Sequence, residues 1–175
     1  MKQPFHTIPI IGISRCLLGD AVRYDGKSRY QPGLIEKLQQ DFELLPICPE
    51  VEAGLGVPRP AVHLTASISH PLVTGRDDPD IDITDLMQTY CRVKSARLSD
   101  ISGFIFKSRS PSCGVSSTPV YINGKIVTET SSGLFARTIM ELYPQLPIIE
   151  ETNMEKPDVF QDFKHRVFGY NARLD

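Results

Sequence analysis

The stretch Ile8-Pro9-Ile10-Ile11-Gly12-Ile13, near the start of the chain, runs directly into Ser14-Arg15-Cys16. A short apolar run that ends in polar residues is typical of a strand, and Pro9 lies at its start, where a strand tolerates proline. Three later runs have the same form, at residues 44–47, 103–107 and 146–149. These four runs are the predicted strands of one sheet.

Helical patterns separate the four runs. Apolar residues recur at helical spacing behind Pro32, over residues 83–90 and over residues 134–142. Alternation of short strands with helices predicts the α/β class, and we expect a single-domain, Rossmann-like fold with a mostly parallel sheet and helical crossovers. Two connections stand apart from this pattern. Asn123-Gly124 predicts a small β-hairpin insertion, and residues 54–76, rich in Pro and Gly, are predicted to be a long loop.

The length and charge of the chain limit its class. It has 175 residues, with 19 basic and 21 acidic side chains and a net charge of −2. This is the size of one domain, and the charge argues against a protein that binds nucleic acid over its whole surface. We find no signal peptide, and no apolar run approaches the roughly 18 residues of a membrane span. The expectation is therefore a cytoplasmic protein with reduced thiols and no membrane partner.

Three of the four cysteines follow predicted strands. Cys16, Cys48 and Cys113 come after the first, second and third apolar runs. Because the loops after parallel strands meet at one edge of a sheet, we expect these thiols to converge there. Their spacing matches no local zinc or ferredoxin motif, so three readings stay open: ordinary buried cysteines, an iron-sulfur cluster with one open iron, or zinc with an open position. Cys91 lies in a helical pattern and is assigned to the core.

Polar residues lie close to the candidate thiols. Glu50 follows Cys48 by two residues, and Ser110 precedes Cys113 by three. A carboxylate and a hydroxyl at such an edge are suited to proton transfer. Basic residues, including Arg59, Lys107 and Arg109, are expected at the same edge, where they could hold a phosphate. The four histidines, at 6, 63, 70 and 165, are interpreted as surface or loop residues.

Five motifs together resemble the thiouracil desulfurase family. They are Ile13-Ser14-Arg15-Cys16-Leu17-Leu18-Gly19, Val22-Arg23-Tyr24-Asp25-Gly26, Cys48-Pro49-Glu50, Val57-Pro58-Arg59-Pro60 and Lys107-Ser108-Arg109-Ser110-Pro111-Ser112-Cys113-Gly114. The resemblance extends in order over residues 8–150, and motifs of this length are far more specific than a short pattern. It predicts a desulfurase-like catalytic domain over residues 1–150.

The resemblance implies a cofactor and catalytic groups. It implies a 4Fe-4S cluster held by Cys16, Cys48 and Cys113, with one open iron, and Glu50 and Ser110 as the catalytic pair. The implied reaction is a hydrolytic, non-redox removal of sulfur, which is released as hydrosulfide. The residues expected to contact the substrate are Ser14, Arg23, Asp25, Arg59, Lys107 and Ser112.

The substrate is the least constrained of these expectations. The resemblance implies a thiolated pyrimidine such as 2- or 4-thiouracil, thiouridine, or 4-thiouridine in tRNA. Residues 151–175 are predicted to form a C-terminal helical extension, similar to the start of a second domain in the tRNA 4-thiouridine desulfidase branch. Two alternatives remain: a tRNA-binding accessory module, and a zinc-dependent hydrolase that uses the same three cysteines.

Overall fold

Two four-stranded sheets form the framework of the computed structural model, which describes residues 8–174. The strands are β1 (Ile10–Ser14), β2 (Glu43–Ile47), β3 (Val62–Thr65), β4 (Leu72–Gly75), β5 (Gly103–Phe106), β6 (Thr118–Ile122), β7 (Lys125–Ser131) and β8 (Ile148–Glu150). The α-helices are α1 (Pro32–Leu38), α2 (Pro49–Glu52), α3 (Thr84–Ser95), α4 (Leu134–Leu142) and α5 (Pro157–Asn171). Two 3-10 helices, Arg15–Leu18 and Glu151–Glu155, follow β1 and β8.

The first sheet contains the four strands that the apolar runs predict. Its order is β2-β1-β5-β8, and all three pairings are parallel. Pro46 lies in β2, which is an edge strand of this sheet. Edge strands tolerate a proline, which has no backbone N–H to donate. The predicted α/β fold with a mostly parallel sheet is confirmed.

Helices cover both faces of this sheet. Ile11 and Ile105 point to a core shared with α1 and α5, whereas Phe104 and Phe106 point to a core shared with α3 and α4. The rings of Phe104 and Phe106 stack with their centroids 4.0 Å apart. Gly12 is required beside them, because a Cβ at this position would lie 2.4 Å from the Phe104 ring.

The second sheet corrects the prediction of a long loop over residues 54–76. This segment contains β3 and β4, which pair with each other antiparallel, and β3 also pairs parallel with β6. The sequence obscures these strands because each has only four residues, too few for an alternating pattern to stand out among the flanking Pro and Gly residues. The predicted hairpin is confirmed as β6 and β7, with Asn123 and Gly124 both at positive φ in the turn.

The C-terminal segment packs on the first sheet. Phe160, Phe163 and Val167 of α5 are buried in the same core as Ile11 and Ile13 of β1. The predicted helix is therefore present, while the domain division at residue 150 stays a prediction. Within residues 8–174, no helix is both long and apolar enough to cross a membrane.

Candidate active site

A cavity of about 410 Å³ opens at the carboxyl ends of β1, β2 and β5. Cys16 reaches it from the 3-10 helix after β1, Cys48 from the start of α2 after β2, and Cys113 from the loop after β5. The structure thus brings the three predicted thiols to one cavity, as expected for loops after parallel strands. Cys91 does not line it and lies instead on the buried face of α3, in the core that α3 shares with α4.

The three thiols are all free and substantially desolvated. Burial raises the pKa of Cys16 to about 11, and it also raises the pKa of Cys48 and Cys113. The other thiols add to this effect at Cys16 and Cys113, whereas a hydrogen bond with Ser14 opposes it at Cys113. A metal or cluster that binds here must therefore displace protons from thiols. Among residues 8–174, no three His, Cys, Asp or Glu side chains are positioned as a ready-made site for a metal ion.

Glu50 lies at the centre of a buried polar group. Arg59 donates to its Oε2 from Nε at 2.8 Å and from Nη2 at 2.7 Å, and the Ser112 hydroxyl donates to its Oε1 at 2.9 Å. The Glu50 and Arg59 side chains are only 12% and 8% exposed. Three residues predicted from distant motifs therefore form one hydrogen-bonded unit, in which Glu50 accepts on both oxygens.

Ser110 shapes the loop that carries Cys113. Its hydroxyl oxygen accepts hydrogen bonds from the backbone N–H groups of Ser112, at 3.2 Å, and Cys113, at 3.1 Å. Ser110 lines the cavity, and within the described residues its hydroxyl acts only as an acceptor. The hydroxyl proton is therefore available to a bound molecule.

Ser14 and Lys107 connect β1 to the same loop. The Ser14 hydroxyl accepts a hydrogen bond from the Lys107 backbone N–H at 2.9 Å and also contacts the Cys113 thiol. The Lys107 ammonium is paired with Glu151 and bonded to the Ser108 hydroxyl at 2.9 Å. Both residues line the cavity, but the Lys107 charge is balanced by that of Glu151.

Two buried carboxylates that the sequence did not single out anchor this loop. Glu151 accepts hydrogen bonds from the Ser108 N–H at 2.7 Å and the Ser108 hydroxyl at 2.9 Å. Glu150 accepts from the Val115 N–H and from the Ser117 hydroxyl, each at 2.6 Å. The available signal was their position, since both lie at the end of the fourth predicted strand and thus at the edge where the other loops meet.

The start of α4 fixes the loop from the other side. The N–H groups of Leu134 and Phe135 donate to the Pro111 and Ser112 carbonyls at 3.0 and 2.9 Å. Gly133 allows this approach, because a Cβ there would lie 2.5 Å from the Ser112 carbonyl carbon. The Cys113 loop is therefore held by a helix terminus as well as by Glu150 and Glu151.

Arg23 and Asp25 are placed differently from each other. Arg23 lines the cavity, whereas Asp25 is exposed and lies outside the lining. Arg23 donates to Asp25 at 3.2 Å, and this hydrogen bond is the main cause that lowers the pKa of the Asp25 carboxyl. The structure thus gives Asp25 a contact with a lining residue but no place in the lining itself.

The cavity lining also contains residues that the sequence did not single out. His63 on β3, interpreted above as a surface or loop residue, lines the cavity with Tyr121 of β6, Tyr24 and Arg76. His70 and His165 are exposed as expected, and His6 lies outside the described residues. We name Tyr24, His63, Arg76 and Tyr121 the aromatic wall, and Cys16, Cys48, Cys113 and Glu50 the thiol wall.

Comparisons with known proteins agree with this geometry. Residues 11–151 match the family model described as 2-thiouracil desulfurase. Among solved structures, the chain is similar to TudS, a 4Fe-4S-dependent thiouracil desulfidase, with a TM-score of 0.71 and 25% sequence identity over 90% of this chain and 99% of that one. No curated protein matches the sequence. Because the family model spans most of the chain, including all three cavity cysteines, the chain belongs to the 2-thiouracil desulfurase family.

Proposed function

We propose that the protein removes sulfur from thiolated pyrimidines by a hydrolytic, non-redox reaction that depends on a 4Fe-4S cluster held by Cys16, Cys48 and Cys113. The observation that carries the proposal is the meeting of three free thiols and Glu50 in one cavity. Family membership and the likeness to a 4Fe-4S-dependent thiouracil desulfidase support the thiouracil substrate and the iron-sulfur cofactor.

The donor set fits this cofactor. Thiolates are the usual ligands of iron-sulfur clusters, and the three thiols come from three separate loops around one cavity. The described lining contains no fourth cysteine, so one iron would keep a position free for substrate. When bound, such a cluster supplies a soft Lewis acid suited to a thiocarbonyl sulfur.

The protein groups then supply water activation and proton transfer. Glu50 accepts a proton from a water molecule as its oxygen attacks the ring carbon that carries sulfur. Arg59 and Ser112 hold the Glu50 carboxylate in place for this step, while the Ser110 hydroxyl orients the reacting groups or passes a proton on. One thiocarbonyl and one water give one carbonyl and one hydrogen sulfide, with no electrons gained or lost.

A second candidate substrate is 4-thiouridine within tRNA. Among the described residues that line the cavity, seven carry a guanidinium or ammonium group and one carries a carboxylate. The cations are Arg15, Arg23, Arg29, Arg59, Arg76, Lys107 and Arg109. Most of these cations are paired with carboxylates inside or beside the cavity, but Arg29 is exposed and has no ion pair within residues 8–174. A local excess of cations favours a phosphate-bearing substrate.

The test is anaerobic purification followed by analysis of iron and acid-labile sulfide, with hydrosulfide release measured from 2-thiouracil, 4-thiouracil and thiolated tRNA. We expect a brown, iron-containing protein that releases one hydrosulfide per uracil formed without added oxidant or reductant. Oxygen from labelled water should appear in the uracil product, which separates hydrolysis from a redox route.

Two results would overturn the proposal. Full desulfuration by an iron-free, zinc-loaded protein would establish the zinc hydrolase instead. Salt-sensitive binding of unmodified tRNA, without hydrosulfide release from any thiolated substrate, would establish the accessory module. Release from the free bases but not from tRNA would limit the substrate to small molecules.

A further inference from the structure

His63 and Tyr121 meet because of the register of the second sheet. Thr65 of β3 pairs with Tyr121 of β6, and side chains alternate between the two faces of a strand. His63 lies two residues before Thr65, so it lies on the same face as Tyr121. The other face carries Leu64 and Val120, which are fully buried in the core.

The two rings pack partly face to face and form one aromatic pair in the cavity lining. Their centroids are 4.8 Å apart and their planes are inclined by 36°. Both side chains are half-buried and both line the cavity that contains the three thiols. Because the hydrophobic core is supplied by the opposite face of β3 and β6, these rings are not needed to fill it.

The surroundings keep this surface uncharged but flank it with cations. Burial, and then the nearby Arg76 guanidinium, lower the pKa of His63, while Asp77 opposes this effect. Burial and Arg76 thus favour the neutral imidazole at His63. Arg76 and Arg23 lie 5.8 and 5.4 Å from the centroid of the Tyr24 ring, which extends the aromatic wall.

We propose that His63 and Tyr121 form a stacking platform that binds the ring of the thiolated pyrimidine and determines the preference for flat heterocyclic substrates. This inference rests on the proposed function, since it places the ring in the same cavity as the groups that act on its sulfur-bearing carbon. Every pyrimidine has a π-face that an aromatic side chain can stack on, whatever its substituents. The platform would thus recognise the ring, while the thiol wall recognises sulfur.

Kinetics of the holoenzyme with 2-thiouracil test the platform. We expect H63A and Y121A each to raise KM about five- to twentyfold, the range of a lost stacking contact, with kcat changed less than twofold. The conservative variants H63F and Y121F should keep KM within about twofold of the parent, because a flat ring remains. H70A is the matched control, since His70 is exposed and contacts only its loop neighbours, Ser67 and Ser69.

A binding measurement separates this inference from the proposed function. The chain has no tryptophan, so Y121W introduces a single fluorescent indole at the platform. We expect uracil, which has no sulfur to remove, to quench this fluorescence in the cluster-loaded protein and to do so more weakly when H63A is added. This result would support the platform even for a protein that desulfurates no substrate.

Three outcomes would overturn the platform. One is an unchanged KM in H63A and Y121A despite normal turnover by the parent, which would leave the proposed function intact. Another is the absence of quenching by uracil in Y121W. The third is a fall in kcat and in the midpoint temperature of thermal unfolding without a change in KM. That result would show that the ring pair only stabilises the pairing of β3 with β6.

Discussion

The two walls of the cavity are built in opposite ways. In the thiol wall, Cys16 and Cys113 are buried, and Glu50 accepts hydrogen bonds on both oxygens from Arg59 and Ser112. In the aromatic wall, His63 and Tyr121 are half-buried and Arg76 is exposed. The contacts of the aromatic wall include ring against ring and cation against ring, together with the exposed ion pair of Arg76 with Asp77.

This difference follows from what each wall is proposed to do. Groups that react must be held within a narrow range of positions, and several hydrogen bonds to each of them provide that restraint. Groups that only recognise a flat ring need a surface rather than a fixed atom, and an aromatic side chain provides it with few rotatable bonds. Substitutions should therefore abolish turnover on the first wall and change KM on the second.

The largest effect is expected from removal of a cavity thiol. We expect C113A to lose bound iron and to reduce hydrosulfide release to background, because two thiols cannot hold the cluster. C91A is the matched control, since Cys91 is equally buried but lies in the core away from the cavity. It should retain iron and activity at a cost of about 1 kcal/mol in the free energy of unfolding. Iron retained by C113A at the level of C91A would remove Cys113 from the ligand set.

The next effect tests the carboxylate of the thiol wall. In E50Q the amide oxygen can still accept from Ser112, but the charge that pairs with Arg59 is lost. We expect kcat to fall about 10²- to 10⁴-fold, the usual contribution of a general base, while iron content is unchanged. Visible absorbance and iron analysis distinguish this result from cluster loss. Turnover within tenfold of the parent would show that another group activates water.

A smaller effect should arise behind the thiol wall, at Glu151. This carboxylate is buried and accepts from the Ser108 N–H and hydroxyl as well as pairing with Lys107. In E151Q an NH₂ group replaces one of the two acceptor oxygens and faces the donors on that side, and the charge that pairs with Lys107 is lost, so we expect a loss of about 2–4 kcal/mol in the free energy of unfolding. Chemical denaturation measures this loss, and we expect iron to be released faster as the Cys113 loop loosens. Stability equal to that of the parent would contradict the anchoring role.

The two walls also differ in how far the sequence predicts them. The thiol wall depends on a general rule, because residues that follow parallel strands must meet at one edge, and Cys16, Cys48 and Cys113 each follow a recognisable apolar run. The aromatic wall depends on the register of β3 with β6, two short strands far apart in the chain. Strands of four or five residues carry too few side chains to reveal their period, and inter-strand register leaves no local trace in the sequence.

The same reasoning explains why Glu150 and Glu151 were missed. A carboxylate after a strand is usually a solvated loop residue, so residue type alone favours an exposed position. These two are instead turned toward the backbone N–H groups of Ser108 and Val115, because that loop folds back over the end of β8. Their partners depend on the path of a loop, which neither composition nor periodicity encodes.

The smallest effect concerns Asp25, which the sequence placed among the substrate contacts and the structure places outside the cavity lining. With 2-thiouracil, D25N should change both KM and kcat less than twofold, because Asp25 lies outside the cavity lining and its hydrogen bonds within the described residues go to Arg23 and to the Lys27 N–H. With thiolated tRNA, D25N should lower KM by a factor of about two to three at low salt, because it frees the Arg23 guanidinium for phosphate, and added salt should erase this gain. Steady-state kinetics at two salt concentrations measure both. A loss of activity on the free base would contradict this expectation and would establish Asp25 as a substrate contact that acts from beyond the lining residues.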